Sequence, residues 1–328
     1  MKTSKQNKFH HYKEILPIAG GHMFHDFYTA FLAPLLPGII ENLSLSLTTA
    51  GFLSTMLQIP SVLNPFFGYL ADKKGARYFI IFSPAVTATL MSLLGRTDSP
   101  VILALLLLLA GISSASLHAA SPAVIGKSAE KKTGFAMSLF MAGGGLGRTL
   151  SPLVVVWALS QWGLSGIYRL MIFGWAASAL LYFQLKGVDF EPQVRTSLRN
   201  SLPQFKAFFL PLALVLLLRS FILAATNTYL PTFLVQTGSS LALAGAALSA
   251  VELSGVAGGL VLGPLSDRLG RKPTIGGSMF LSAAALIIFL NISGWLVIPL
   301  LLIFGFFSRS TGSLFLALVQ DNFQGHRA

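Results

Sequence analysis

Apolar segments of about 20 residues, the length an α-helix needs to cross a hydrocarbon core, recur along this entire chain of 328 residues. Stretches such as VILALLLLLAGISSASL, Val101–Leu117, lack the two-residue alternation of a membrane β-strand. Helices suit lipid because each satisfies its own backbone hydrogen bonds. Only 10% of the residues are charged, against about 25% in soluble domains. Spans are predicted near residues 15–40, 47–71, 77–95, 100–125, 133–160, 166–185, 207–236, 242–266, 273–291 and 295–320. The expected fold class is therefore all-α, a polytopic membrane protein with ten transmembrane helices.

The first span is too long and too polar at its centre for a cleaved signal, and it lacks a small-x-small cleavage pattern. The absence of cysteine excludes disulfides and thiolate metal sites. A net charge of +12 raises the question of nucleic acid, but the location of the charge answers it. Eighteen of the 23 lysines and arginines fall in the N-terminal tail, in alternate loops and at the C-terminal end. The loops between hold only Arg96, and Arg148, Arg169, Arg219 and Arg309 lie within spans. The positive-inside rule then places both termini in the cytoplasm of an inner-membrane protein. The lipid bilayer is the expected partner; neither nucleic acid nor an obligate protein partner is indicated.

One long polar connection, residues 186–206, follows the sixth span. It is expected to be a cytoplasmic linker between a six-helix bundle, residues 1–185, and a second bundle, residues 207–328, with four helices. A repeat supports the division. GYLADKKGAR, Gly68–Arg77, follows the second span, and GPLSDRLGRK, Gly263–Lys272, follows the eighth. Gly68 and Gly263 are expected to permit close helix approach, and Gly75 and Gly270 a tight turn. Asp72 and Asp267 suit a helix N-terminus, and Arg77, Arg268 and Arg271 complete the basic loops.

These loops resemble the signature loop of the major facilitator superfamily, whose transporters are two six-helix bundles in parallel repeat. Ala76 departs from the usual basic residue. More narrowly, GHMFHDFYTAFLAPLLP, GFAMSLFMAGGGLG, LRSFILAATNTYLPTFL and FLALVQDNFQGHRA are similar to segments of bacterial fosmidomycin-resistance proteins, a drug-efflux branch. The resemblance implies proton-driven export and twelve helices, so the chain reads as two helices short. Gly134, Gly143 and Gly147 match the family's antiporter glycines, although Arg148 stands where proline is usual.

Ionisable groups inside a bilayer cost roughly 2.5–3.5 kcal/mol each on insertion scales and are functional candidates. They are His22, His25 and Asp26 on the first span, His118 on the fourth, Arg148 on the fifth, Arg219 on the seventh, Glu252 on the eighth and Arg309 on the tenth. At roughly 100° per residue from His22, Asp26 falls at about 40°, Thr29 at about −20° and His25 at about −60°. All four share one face, expected to look into the bundle. The resemblance implies that the first, fourth, seventh and tenth helices line a central cavity, where Asp26, His118, Arg219 and Arg309 contribute one ionisable group apiece.

Asp26, with His22 or His25 as relay and Glu252 as second choice, is the expected proton-coupling group. Arg219 and Arg309, with His118 and Arg148, are expected to bind an anionic small-molecule substrate, because a guanidinium grips carboxylate, phosphate or phosphonate bidentately. The three histidines, with only Asp26 in support, do not make a convincing metal set; no metal or cofactor is expected. No hydrolase constellation is visible, so an enzyme is not expected. The expected function is proton-coupled export of a drug or organic anion. Symport of a metabolite, or a transporter-like protein without transport, are the alternatives. The orientation predicts that cysteines placed at Ser128, Ser197 or Gln324 react with a membrane-impermeant thiol reagent only from the cytoplasmic side; labelling in intact cells would reverse it.

Overall fold

A computed structural model describes residues 12–129, 133–186, 202–292 and 294–322. The start of the basic tail, Lys131, Lys132, Arg327 and most of the expected linker lie outside these residues, as does the side chain of Asp72.

The described residues form twelve α-helices. They are α1 Tyr12–Thr29, α2 Leu32–Leu43, α3 Leu47–Gln58, α4 Asn64–Lys74, α5 Arg77–Ser92 and α6 Pro100–Ala129. The remainder are α7 Thr133–Trp162, α8 Met171–Gln184, α9 Leu202–Gln236, α10 Leu241–Leu269, α11 Arg271–Leu290 and α12 Val297–Asn322. Nine described segments are long and apolar enough to cross a membrane. The second expected span, residues 47–71, is broken into α3, a 3-10 segment at Ile59–Leu63, and α4. Proline accounts for the break. Pro60 offers no N–H and its ring crowds the preceding turn, while Pro65 stands at the start of α4, where a missing donor costs nothing. The first span bends between α1 and α2 for the same reason, since Pro34 cannot bond the Ala30 carbonyl. There Phe31 N makes the tighter bond to Tyr28 O at 3.0 Å. Helix α9 begins at Leu202, inside the stretch expected to be linker.

Leu, Ile, Phe and Ala side chains fill the interior. One buried cluster joins α1–α3 with α5–α7 around Phe31, Leu35, Met91 and Leu107. Another lies nearer the basic turns, around Ile18, Ile80, Ile125 and Phe140. In the later residues, Leu248, Phe289 and Phe304 centre a third cluster, which also takes Ala33 of α2.

The two repeat turns have the same backbone. Gly75 adopts φ 91°, ψ 143°, and Gly270 adopts φ 93°, ψ 144°, a left-handed region that side-chain-bearing residues avoid. Each closes its helix by an N–H bond, to Ala71 O and Ser266 O respectively. Arg271 pairs with Asp267 and with Asp321, the latter at 2.9 Å. It also donates to Ser266 Oγ and to Gly263 O. Arg77 donates to Lys186 O at 3.3 Å, and Arg268 is exposed. One expectation is corrected. A β-carbon at Gly68 or Gly263 would meet nothing within 4 Å, so neither glycine is there for close helix approach. What Gly263 supplies is its carbonyl, which accepts from Arg271.

Residues before and after the linker meet through α2 against α9 and α7 against α10. Away from the repeat turns, Ser54 and Thr228 share a hydrogen bond at 2.6 Å, and Tyr229 donates to Leu47 O at 2.8 Å. The chain has no cysteine, so Ser54→Cys with Thr228→Cys gives a clean test. Oxidation should join the two halves, and gels run after proteolytic cleavage of the linker should show one band without reductant and two with it. Two bands under both conditions would refute this packing.

Candidate functional site

Helix α7 approaches α1 closely because glycines line the contact. A β-carbon at Gly143 would come within 2.4 Å of Ala19 O, and one at Gly147 within 2.1 Å of Met23 O. At Gly144 it would lie 2.4 Å from His22 Cε1 and 2.7 Å from Asp26 Oδ2. The glycine run therefore leaves room for two polar side chains that no larger residue could share.

Into that space α1 projects Asp26, only 2% exposed. Arg148 Nη1 of α7 binds Asp26 Oδ2, and its Nε lies 3.3 Å from Glu252 Oε2 of α10. Glu252 Oε1 in turn lies 2.6 Å from Arg309 Nη2 of α12. Arg309 also donates to the side-chain oxygen of Asn227 on α9. Acid and base thus alternate through Asp26, Arg148, Glu252 and Arg309, from the first helix of one half to the last described helix of the other. Two carboxylates offset two guanidinium groups. Burying any one of these charges alone would cost several kcal/mol; paired, the attraction offsets most of that penalty.

His22 and His118 gather at the Asp26 end. His22 Nε2 is 3.2 Å from Asp26 Oδ2 and His118 Nε2 is 3.5 Å from Oδ1. Of the three α1 groups expected on one face, His25 departs. Its ring is fully buried, with Nδ1 3.2 Å from Thr87 Oγ1 of α5, and Thr87 donates to Ser113 Oγ of α6 at 2.9 Å. Lying farthest round the helix from Asp26, His25 meets α5 instead of the cavity.

Arg219 and Arg309 also differ from the expectation that both carry spare charge. Glu252 occupies Arg309. Arg219 bonds the Thr311 hydroxyl, and among the described residues no carboxylate pairs with it. It lies eight residues before Asn227 on α9, about 12 Å along the helix at 1.5 Å per residue.

A cavity of about 220 Å³ is lined by Asp26, His118, Arg148 and Glu252, together with Ser54, Gln58, Asn227 and Thr228. Arg219, Arg309, His22 and His25 do not line it. Sequence reasoning missed Asn227 and Ser54. A lone amide or hydroxyl in an apolar span carries a weaker burial cost than a charge, although the cluster TNT, Thr226–Thr228, was a usable signal. Arg169, set apart at the sixth span, lies 5.4 Å from the Trp162 ring centroid, and Ser114 lies beside His118.

The profile of the Major Facilitator Superfamily matches residues 18–328. The fosmidomycin resistance protein of Escherichia coli K12 is 25% identical over 317 residues, covering 94% of this chain and 78% of that protein. Among solved structures, a bacterial homolog of the human lysosomal transporter Spinster, inward-facing and unoccupied, aligns with TM-score 0.73 and 16% identity. That match covers 93% of this chain and 74% of the other. A D-xylose–proton symporter aligns with TM-score 0.67 and 15% identity over 95% of this chain and 83% of its own.

The ladder predicts a stability effect. Glu252→Leu leaves Arg309 without a carboxylate and Arg148 with Asp26 alone, so it should destabilise the protein by about 3–5 kcal/mol, the range for breaking a buried pair. Adding Arg309→Leu should recover part of that loss. Thermal unfolding in detergent reads both, and a single variant as stable as the parent would refute the pairing.

Proposed function

The chain belongs to the Major Facilitator Superfamily, and on that premise we propose that it exports a small organic anion in exchange for protons. The family makes it a multi-pass membrane protein and a secondary transporter of small molecules, not an enzyme. Export, proton coupling, the anionic cargo, the inner membrane and cytoplasmic termini are our reading, as is the division into bundles on either side of the linker.

The observation that carries the reading is the cavity-side ion ladder. Asp26 lies where cavity, histidines and Arg148 meet. When Asp26 takes a proton it loses its charge-assisted bond to Arg148, and Arg148 is left with Glu252 as its remaining carboxylate. Because Asp26 and Glu252 belong to different halves, one proton alters how strongly the halves hold each other. That is the differential interaction a conformational change requires. His22 and His118 flank the carboxylate within relay distance. His25 has a longer route, because its ring bonds Thr87. The Gly143–Gly147 run, at the family's antiporter glycines, supports exchange.

The anion reading now rests on Arg219. Arg148 and Arg309 are neutralised by Asp26 and Glu252, whereas Arg219 keeps a whole unit of positive charge among the described residues. A permanent cation on a span is expensive unless a ligand or partner compensates it. A carboxylate, phosphate or phosphonate suits its planar fork. The fosmidomycin resistance relative points to the same export of a drug.

Two substitutions test the reading. In inverted vesicles, Asp26→Asn should abolish transport driven by a pH gradient while substrate exchange continues; unchanged pH-driven transport would remove Asp26 from coupling. Arg219→Gln should weaken binding of an anionic substrate by about 1.5–3 kcal/mol, the value of one charged hydrogen bond, and leave neutral compounds unaffected. Equal loss for every compound would make Arg219 a structural residue.

A further inference from the structure

Beside the ladder, three acceptor atoms point at one another. His22 Nδ1 lies 2.7 Å from Phe140 O, and His118 Nδ1 lies 2.9 Å from Ser114 O. A carbonyl can only accept, so in each ring the proton sits on Nδ1 and a neutral ring presents a bare lone pair at Nε2. Those two Nε2 atoms are 3.2 Å apart. Each also faces Asp26, at 3.2 Å from His22 and 3.5 Å from His118. Arg148 donates to Asp26 and Glu252 and to neither ring. Lone pairs held this close repel unless an electrophile lies between them.

The spacing identifies the electrophile. Zn²⁺ binds nitrogen and oxygen at about 2.0–2.2 Å, which sets the edge of its tetrahedron at about 3.3–3.6 Å. The two ring nitrogens are 3.2 Å apart, and they approach the carboxylate at 3.2 and 3.5 Å through its two different oxygens, so all three approaches lie near that scale and a small turn of the Asp26 carboxylate would present one oxygen to both rings. Hydrogen bonding of the distal ring nitrogen to a carbonyl, present on both rings, is the usual outer support of a metal-bound histidine. Gly144 keeps α7 clear of the site, as no residue with a β-carbon could. His118, whose side chain is 37% exposed, lines the cavity, so a fourth position opens onto water. The sequence grouped three histidines with Asp26 in support; the fold sets His25 against Thr87 and leaves His22, His118 and Asp26 as a three-ligand set with both nitrogen and oxygen donors.

We propose that His22, His118 and Asp26 bind one divalent transition-metal ion of the Zn²⁺ class, with the fourth position facing the cavity. Imidazole and carboxylate donors suit such ions. Arg148 opposes the ion through its hold on Asp26, and Glu252, already 3.3 Å from Arg148 Nε, receives the guanidinium when the ion enters. Protons and metal compete for the same electron pairs. The inference rests on the geometry of the cluster and requires neither a gradient nor a cargo, so its failure would leave the transport reading untouched.

The test is a Co²⁺ titration of the full-length protein in detergent at neutral pH. The protein is purified without a histidine tag, with His10, His11 and His326 replaced by Ala to remove other ligands. One equivalent of Co²⁺ should produce the intense visible bands of a tetrahedral site, and Zn²⁺ should erase them. His22→Gln and His118→Gln should each weaken binding at least about tenfold, while His25→Gln binds as the parent does. Arg148→Gln does not depend on either histidine variant folding, and it should bind Co²⁺ more tightly because a competing cation is gone. The proposal is overturned if saturating Co²⁺ gives no tetrahedral bands, if His118→Gln binds unchanged, or if Arg148→Gln weakens binding. The first of these results would assign the gap between the rings to an excess proton.

Discussion

Arg148 is the interaction on which the interior depends. A guanidinium stays charged at any physiological pH, and inside a membrane protein it needs compensation from partners that share its low-dielectric surroundings. Asp26 and Glu252 provide it from opposite sides, and each of those carboxylates depends on Arg148 in return. Removing any one member leaves the buried set with an unbalanced unit of charge. The ladder is therefore cooperative, and it crosses the boundary between the two halves of the chain. A charge change at one end is felt at the other without any long-range wire, because each carboxylate or guanidinium in the middle has two competing partners.

Such charges reach each other only because the helices come close. Lipid offers no hydrophobic drive for helix association, so small residues that allow backbone contact do much of the work. Gly143, Gly144 and Gly147 let α7 lie against α1, and a β-carbon at Gly255 or Gly258 would collide with Arg309 or with Phe306 O of α12. The same two glycine surfaces that hold α7 to α1 and α10 to α12 also carry Arg148 and Glu252. Packing and electrostatics are solved on the same helices, which limits what either can change alone.

The repeated turns show a second economy. Gly75 and Gly270 share one backbone conformation in the two halves, yet their surroundings differ. Arg271 pairs with Asp267 and Asp321, while the matching place in the first half holds Ala76 and passes the basic role to Arg77 and its bond to Lys186 O. The fold of the Major Facilitator Superfamily is preserved by the turn geometry, and the polar contacts around it vary.

Much of this was open to a reading of residues alone. Hydropathy is local, so the helical spans and the all-α membrane class follow from runs such as Val101–Leu117 without knowledge of any contact. The repeat was legible because a tight turn demands glycine at a fixed place, and the candidate site was legible as charges whose cost in lipid singles them out. Their partners were not legible. Asp26 and Arg148 are 122 residues apart and Arg148 and Glu252 are 104 apart, and no periodicity within a helix specifies which face of another helix it will meet. Helical angles placed His25 on the same face as Asp26, at its far edge, but the position of α5 turned it toward Thr87. Counting charges suggested two spare arginines, but the approach of α10 to α12 paired Arg309 and left Arg219. Sequence determines what must be buried; tertiary packing decides what it is buried against, because pair energies depend on distances that only the assembled helices possess.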